Sequence, residues 1–103
     1  MTEFREVLRD VSYELEKAEY YASEARKHKG QYPELATIYA KVAAAHRDSA
    51  DMLMRQAEFM KNKAEHEKQV DAISMVAVYE YACERAETDM ETVDRILMHY
   101  RNE

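Results

Sequence analysis

Few residues of this 103-residue chain have types and spacings that could do chemistry, and His46 is the first of them. It interrupts a series of large side chains seven apart, Tyr32, Tyr39, His46, Leu53 and Met60. Beside that series runs a second one of small residues, Ala36, Ala43, Ala50, Ala57 and Ala64. An imidazole taken out of water in such a row needs a polar partner. If the chain folds back around Gly30–Pro33, residues whose numbers add to roughly 60–62 face one another, and Glu14 comes opposite His46. A further turn near residue 69 would bring the carboxylates of 87–94 to the same level. A half-buried Glu14–His46 pair can fix the register of an Ala-rich interface. It can also begin a metal or proton-transfer site, and Glu14 and His46 are the candidate metal ligands.

The other reactive groups are read as structural. Glu24 and His28 stand four apart at a helix end, an ordinary electrostatic pair. Glu65, His66 and Glu67 fall in a charged turn. Cys83 lies on an apolar seam, where a small buried thiol is the common case. No glycine-rich phosphate loop occurs, and no Ser–His–Asp or Cys–His constellation has a supporting turn. No enzymatic activity and no cofactor is expected.

Charge supplies the second candidate site. The first 29 residues are nearly balanced, with seven acids against six bases, whereas residues 71–94 hold seven acids against Arg85 alone. Glu80, Glu87 and Asp94 are seven apart, Glu84 and Glu91 continue the same exposed face, and Tyr81 lies within the field. Such a row can keep a small protein soluble, or it can meet the Lys and Arg of a basic partner and speed that encounter. Direct nucleic-acid binding is disfavoured, because affinity for phosphates comes from clustered cations. Here the bases are interleaved with acids except at Arg26, Lys27 and Lys29.

The elements that position these groups follow from punctuation. One Gly, one Pro, 35 % charged and 47 % apolar residues exclude a turn-rich β fold and point to long helices. The first helix is expected over about 3–29, with Thr2 as N-cap and Gly30 as a left-handed stop. Its seam is Phe4, Leu8, Val11, Leu15, Ala18, Ala22 and Ala25, a heptad pattern. The second helix is expected over about 33–66, opened by Pro33 at the first helical position. It carries a second stripe, Ile38, Val42, Ala45, Ser49, Met52, Gln56 and Phe59, so it is expected to be the middle helix with a neighbour on each side. The third is expected over about 71–101, capped by Asp71, with Val70 and Met75 forming a hydrophobic staple. Its seam is Ala72, Val76, Tyr79, Cys83, Ala86, Met90, Val93, Leu97 and Tyr100. The expected fold is all-α, an antiparallel three-helix bundle forming one domain over 1–103. The rival is one continuous helix of nearly 70 residues exchanged between two chains.

Tyr-Pro-Glu-Leu-Ala at 32–36, then Tyr39, then Ser-Ala-Asp-Met-Leu at 49–53 resembles the second helix of ferritin-like proteins of the rubrerythrin type. The resemblance implies a metal-binding helical protein. It sets His46 at the position of the family's glutamate ligand, Ser49 at that of its histidine, and Glu14 at that of its first-helix glutamate. The family's Glu-x-x-His motif is absent: Ala25, Ala43, Lys63 and Ile96 stand three residues before the four histidines.

The expected function is non-enzymatic: a small acidic protein–protein interaction module that engages a basic protein surface through Glu80, Tyr81, Glu84, Glu87, Glu91 and Asp94. In size, charge and Tyr/Glu/Asp-rich helices the chain resembles small accessory or inhibitor proteins of phages and mobile elements. The alternatives are a ferritin-like metal protein built by dimerisation and a purely structural assembly unit. A homodimer is the favoured assembly, with helix 2's wide apolar arc and Tyr13, Tyr20, Tyr21 and Tyr81 as contact surface. The single cysteine, the charged start MTEFREVLRD and the lack of a long apolar run point to a cytoplasmic protein without a membrane span.

Overall fold

A computed structural model describes all residues, 1–103. Three helices, α1 (Thr2–His28), α2 (Pro33–His66) and α3 (Ala72–Asn102), run up, down and up in a rod of 56 × 18 × 15 Å. The boundaries lie within one residue of those expected. The chain folds back between His66 and Ala72, which excludes the single long helix within this structure. No helix is long and apolar enough to cross a membrane.

The two turns differ from expectation in mechanism. Gly30 does not adopt a left-handed conformation; α1 ends at Lys29 in right-handed geometry, and the Tyr32 amide donates to the His28 carbonyl. Pro33 then restarts the helix at once, so a tight right-handed turn suffices. In the second turn the left-handed residue is Lys68, at φ 54°. Lys68 lets the Gln69 amide donate back to the Ala64 carbonyl and so close α2. Thr2 lies inside α1 and Met1 occupies the N-cap position. Asp71 precedes α3 without a side-chain cap bond, its carboxylate lying 3.6 Å from the Met1 ammonium. The Val70–Met75 staple is absent, because Val70 projects fully into solvent while Met75 is buried.

α1 packs most closely against α2, less closely against α3, and α2 and α3 are the least intimate pair. The helix with close neighbours on both sides is therefore α1, not α2. The cause is the alanine series: Ala36, Ala43, Ala50, Ala57 and Ala64 are all buried. They let the α2 backbone approach the α1 seam, every member of which is buried too. One cluster joins Phe4, Leu8, Val11 and Leu15 to Ala50, Met54, Ala57, Met75 and Ala86, and a second joins Ala18 and Ala22 to Ala43, Val93 and Leu97. Phe4, Leu15 and Val93 are the largest fully enclosed side chains.

Where α2 and α3 have less apolar contact, polar ties take over. Arg47 donates two hydrogen bonds to the Asp94 carboxylate at 2.9 Å, and the Tyr79 hydroxyl donates to Glu58 at 3.0 Å. At the far end Arg26 holds the Glu103 carboxylate through two nitrogens, and Lys29 donates to the Tyr100 carbonyl. A cation among the free carbonyls of a helix C-terminus is favoured by the helix dipole.

The second stripe of α2 is little covered within the chain. Ile38, Met52 and Phe59 are 57 %, 69 % and 63 % exposed, Ala45 and Gln56 are also exposed, and Val42 and Ser49 are half-buried. Its apolar pattern calls for burial, but the interface with α1 uses the opposite shoulder of the helix.

Candidate functional site

The hairpin brings Glu14 and His46 together, and the cause can be followed from the sequence. On α1 the heptad Val7, Glu14, Tyr21, His28 runs beside the core seam and faces the α2 series Leu53, His46, Tyr39, Tyr32 in reverse order. His46 Nδ1–H donates to Glu14 Oε2. Tyr21 stacks on Tyr39 with ring centroids 5.8 Å apart, and His28 meets Tyr32 edge-on at 6.1 Å. Tyr21 also lies nearly parallel to the His46 ring at 5.8 Å, and Lys17 approaches the other Glu14 oxygen at 3.7 Å. Both partners keep access to water, with side-chain exposures of 25 % for His46 and 21 % for Glu14.

Nothing else that could ligate a metal joins this pair. No group of three or more His, Cys, Asp or Glu side chains converges anywhere in the molecule. The helix 3 carboxylates expected at this level do not reach it: Asp94 is engaged by Arg47, and Glu87 accepts a weak bond from the Cys83 thiol at 3.6 Å. The surroundings of Glu14 and His46 are an aromatic wall and one lysine, which suits a register lock between two helices. Glu24 accepts from His28 Nε2–H at 3.0 Å, and Glu65 lies 3.4 Å from Lys61.

The α3 carboxylates are arranged as their spacing implies. Glu80, Glu84, Glu87, Glu91 and Asp94 are all exposed and follow one line along the helix in alternating steps of four and three. Glu80, Glu84, Glu87 and Glu91 make no ion pair, whereas the Asp94 carboxylate is held by Arg47. The open part of the row is therefore four carboxylates over three turns. Tyr81 flanks the row, sharing a shallow pocket with Glu84. One residue on from Glu80, about 100° round the helix, it is 66 % exposed and lines a groove of about 300 Å³ between α1 and α3.

That groove went unrecognised in the sequence. Its floor is Leu8, Val11, Leu15, Val78 and Ala82, and its rim carries Arg5, Arg9 and Arg85 against Asp89. The readable signal was Arg85, the single base of an acidic segment, four residues after Tyr81 and four before Asp89.

On the α2–α3 side, Cys83 is half-buried rather than enclosed. Burial first, then the nearby Glu87 charge, pushes its thiol above the ordinary range, so the reactive thiolate is disfavoured. Tyr79 is pushed up likewise, by burial and then by its hydrogen bond to Glu58. Both groups are held in their neutral forms.

Compared with known proteins, the chain matches no family model, no curated protein and no solved structure.

Proposed function

We propose that the protein is a non-enzymatic interaction module whose α3 face engages a basic surface on a partner protein. The observation that carries this reading is the open row of Glu80, Glu84, Glu87 and Glu91, exposed and free of intramolecular cations. Arg47 neutralises only the Asp94 end of the row. A row of like charges on a rigid helix repels itself, and a complementary cationic surface relieves that repulsion while steering the encounter. The fit is to Lys/Arg side chains of the kind that hold nucleic-acid phosphates, which makes an inhibitor or accessory role of the phage and mobile-element type the concrete version of this function. Such a role would place the protein in the cytoplasm.

The test uses a lysine- and arginine-rich helical peptide titrated onto the full chain across a salt series. Binding should weaken steeply with salt and fall at least about tenfold in the triple variant Glu84→Lys, Glu87→Lys, Glu91→Lys. Equal binding by the variant and the parent protein refutes the assignment of this face.

A further inference from the structure

The exposed stripe of α2 is longer and more regular than an incidental apolar patch. With Leu35 included it reads Leu35, Ile38, Val42, Ala45, Ser49, Met52, Gln56 and Phe59, in unbroken alternating steps of three and four. None of the eight is charged. This is a coiled-coil seam, and the chain covers little of it: only Val42 and Ser49 are half-buried, and the other six side chains are exposed. Scattered apolar residues on a surface need no explanation, but a contiguous strip does.

We propose that a second copy of this chain occupies the seam, with the two α2 helices antiparallel about a two-fold axis. The outer flank of the seam identifies the occupant. It carries Glu34, Lys41, Asp48 and Arg55, seven apart, exposed and alternating in sign. Glu34, Lys41 and Asp48 are in no ion pair, and Arg55 touches only Asp51, at 2.9 Å, with its own side chain 80 % exposed. An alternating row read backwards is complementary to itself. In antiparallel coiled coils this flank meets its own counterpart across the seam.

The charges also select the register. With Val42 opposite the partner's Ala45, Leu35 faces the partner's Met52 and Ile38 faces the partner's Ser49. Glu34 then lies beside the partner's Arg55, and Lys41 beside the partner's Asp48. The two-fold axis repeats each pair. Sliding by one heptad, so that Val42 faces the partner's Met52, brings Lys41 against the partner's Arg55 and Asp48 against the partner's Asp48. That register juxtaposes like charges and is excluded.

The area sets the strength. Residues 35 to 59 span roughly 36 Å of helix, and a strip one helix diameter wide, about 10–12 Å, covers roughly 400 Å² on each copy before flanking side chains are counted. Two such strips make about 800 Å² in all, below the ~1,200 Å² of stable specific interfaces and in the range of weak, transient ones, so the dimer should dissociate with a constant on the order of 10 μM rather than nanomolar. Arg55 and Glu87 line one groove between α2 and α3, but the dimer is read from the mass of the chain alone, so this inference stands or falls separately from the reading of α3.

The experiment is light scattering in line with gel filtration on the full chain, loaded from about 1 μM to several hundred μM, bracketing that constant. The mass should rise from 12.1 kDa toward twice that value. Ile38→Glu with Met52→Glu should hold the protein at the monomer mass with unchanged helical circular dichroism, since both side chains are mostly exposed in the single chain. Lys41→Glu should weaken the dimer about tenfold, and adding Asp48→Lys should restore it, because the swapped charges meet across the two-fold axis. A monomer throughout the range overturns the proposal. So does a dimer that survives the paired glutamates, or one that Lys41→Glu tightens, the result expected of the excluded register.

Discussion

Replacing Glu14 and His46 singly and together should show a coupling of about 1 kcal/mol between them. A hydrogen bond to a charged group contributes a net ~1.5–3 kcal/mol when well shielded. Here both side chains keep between a fifth and a quarter of their exposure, and Lys17 remains 3.7 Å from Glu14 when His46 is gone. Solvent and Lys17 both reduce the figure, which places it at ~1 kcal/mol. The assay is urea unfolding of the parent protein, Glu14→Ala, His46→Ala and the double variant, followed by helical circular dichroism. In a domain of this size each kcal/mol moves the thermal midpoint by roughly 4–8 °C, so melting curves give an independent check. A coupling below about 0.3 kcal/mol, the scatter of non-interacting sites, would refute the register-lock reading. A further variant, Glu14→Leu with His46→Leu, separates stability from specificity. Apolar replacements for an ion pair are often neutral or stabilising. The paired leucines should therefore unfold no earlier than the parent, while their amide spectrum shows more than one packing of α1 on α2. A single sharp set of peaks would assign the register to the alanine series alone.

Phe4→Ala removes one of the three largest enclosed side chains and should cost ~3–5 kcal/mol, read as a collapse of the urea midpoint with all three helices unfolding together. Cys83 should react with a disulfide reagent at pH 8 more slowly than free cysteine, because burial and Glu87 raise its thiol, and Glu87→Gln should speed it. The Glu103 carboxyl is held below its ordinary range, first by the hydrogen bonds from Arg26. Its contribution is present above the ordinary carboxylate range and is lost as pH falls through the lowered value. In a carboxyl-carbon NMR titration Glu103 should therefore change below the ordinary carboxylate range. Arg26→Gln should return it to the common range, and an unchanged midpoint would place the contact outside solution behaviour.

The three helices and their ends were readable because Pro33, the polar run at 61–71 and the phase change from Ala64 to Ala72 are local signals. Glu14 facing His46 followed from hairpin arithmetic, since a short turn fixes which residues meet. What escaped depends on information a heptad does not hold. The stripes of α2 are similar in composition, and only the close approach permitted by Ala36, Ala43 and Ala50 decides which of them meets α1. Nothing in the letters of Ile38, Met52 and Phe59 says whether their cover comes from this chain. Gly30 was expected to turn left-handed, yet the immediate restart at Pro33 removed the need. Lys68 took that conformation in a turn without glycine.

Because α1 and α3 run in the same direction, residue 1 sits at one end of the 56 Å rod, beside Asp71, and residue 103 sits at the other, beside Arg26. Tension applied between those two points acts along the helix axes and loads the α1–α3 contacts in shear. All the layers along that contact resist together, whereas a two-helix hairpin pulled from its adjacent ends unzips one layer at a time. Bodies joined to the chain's two ends would therefore sit at opposite ends of the 56 Å rod.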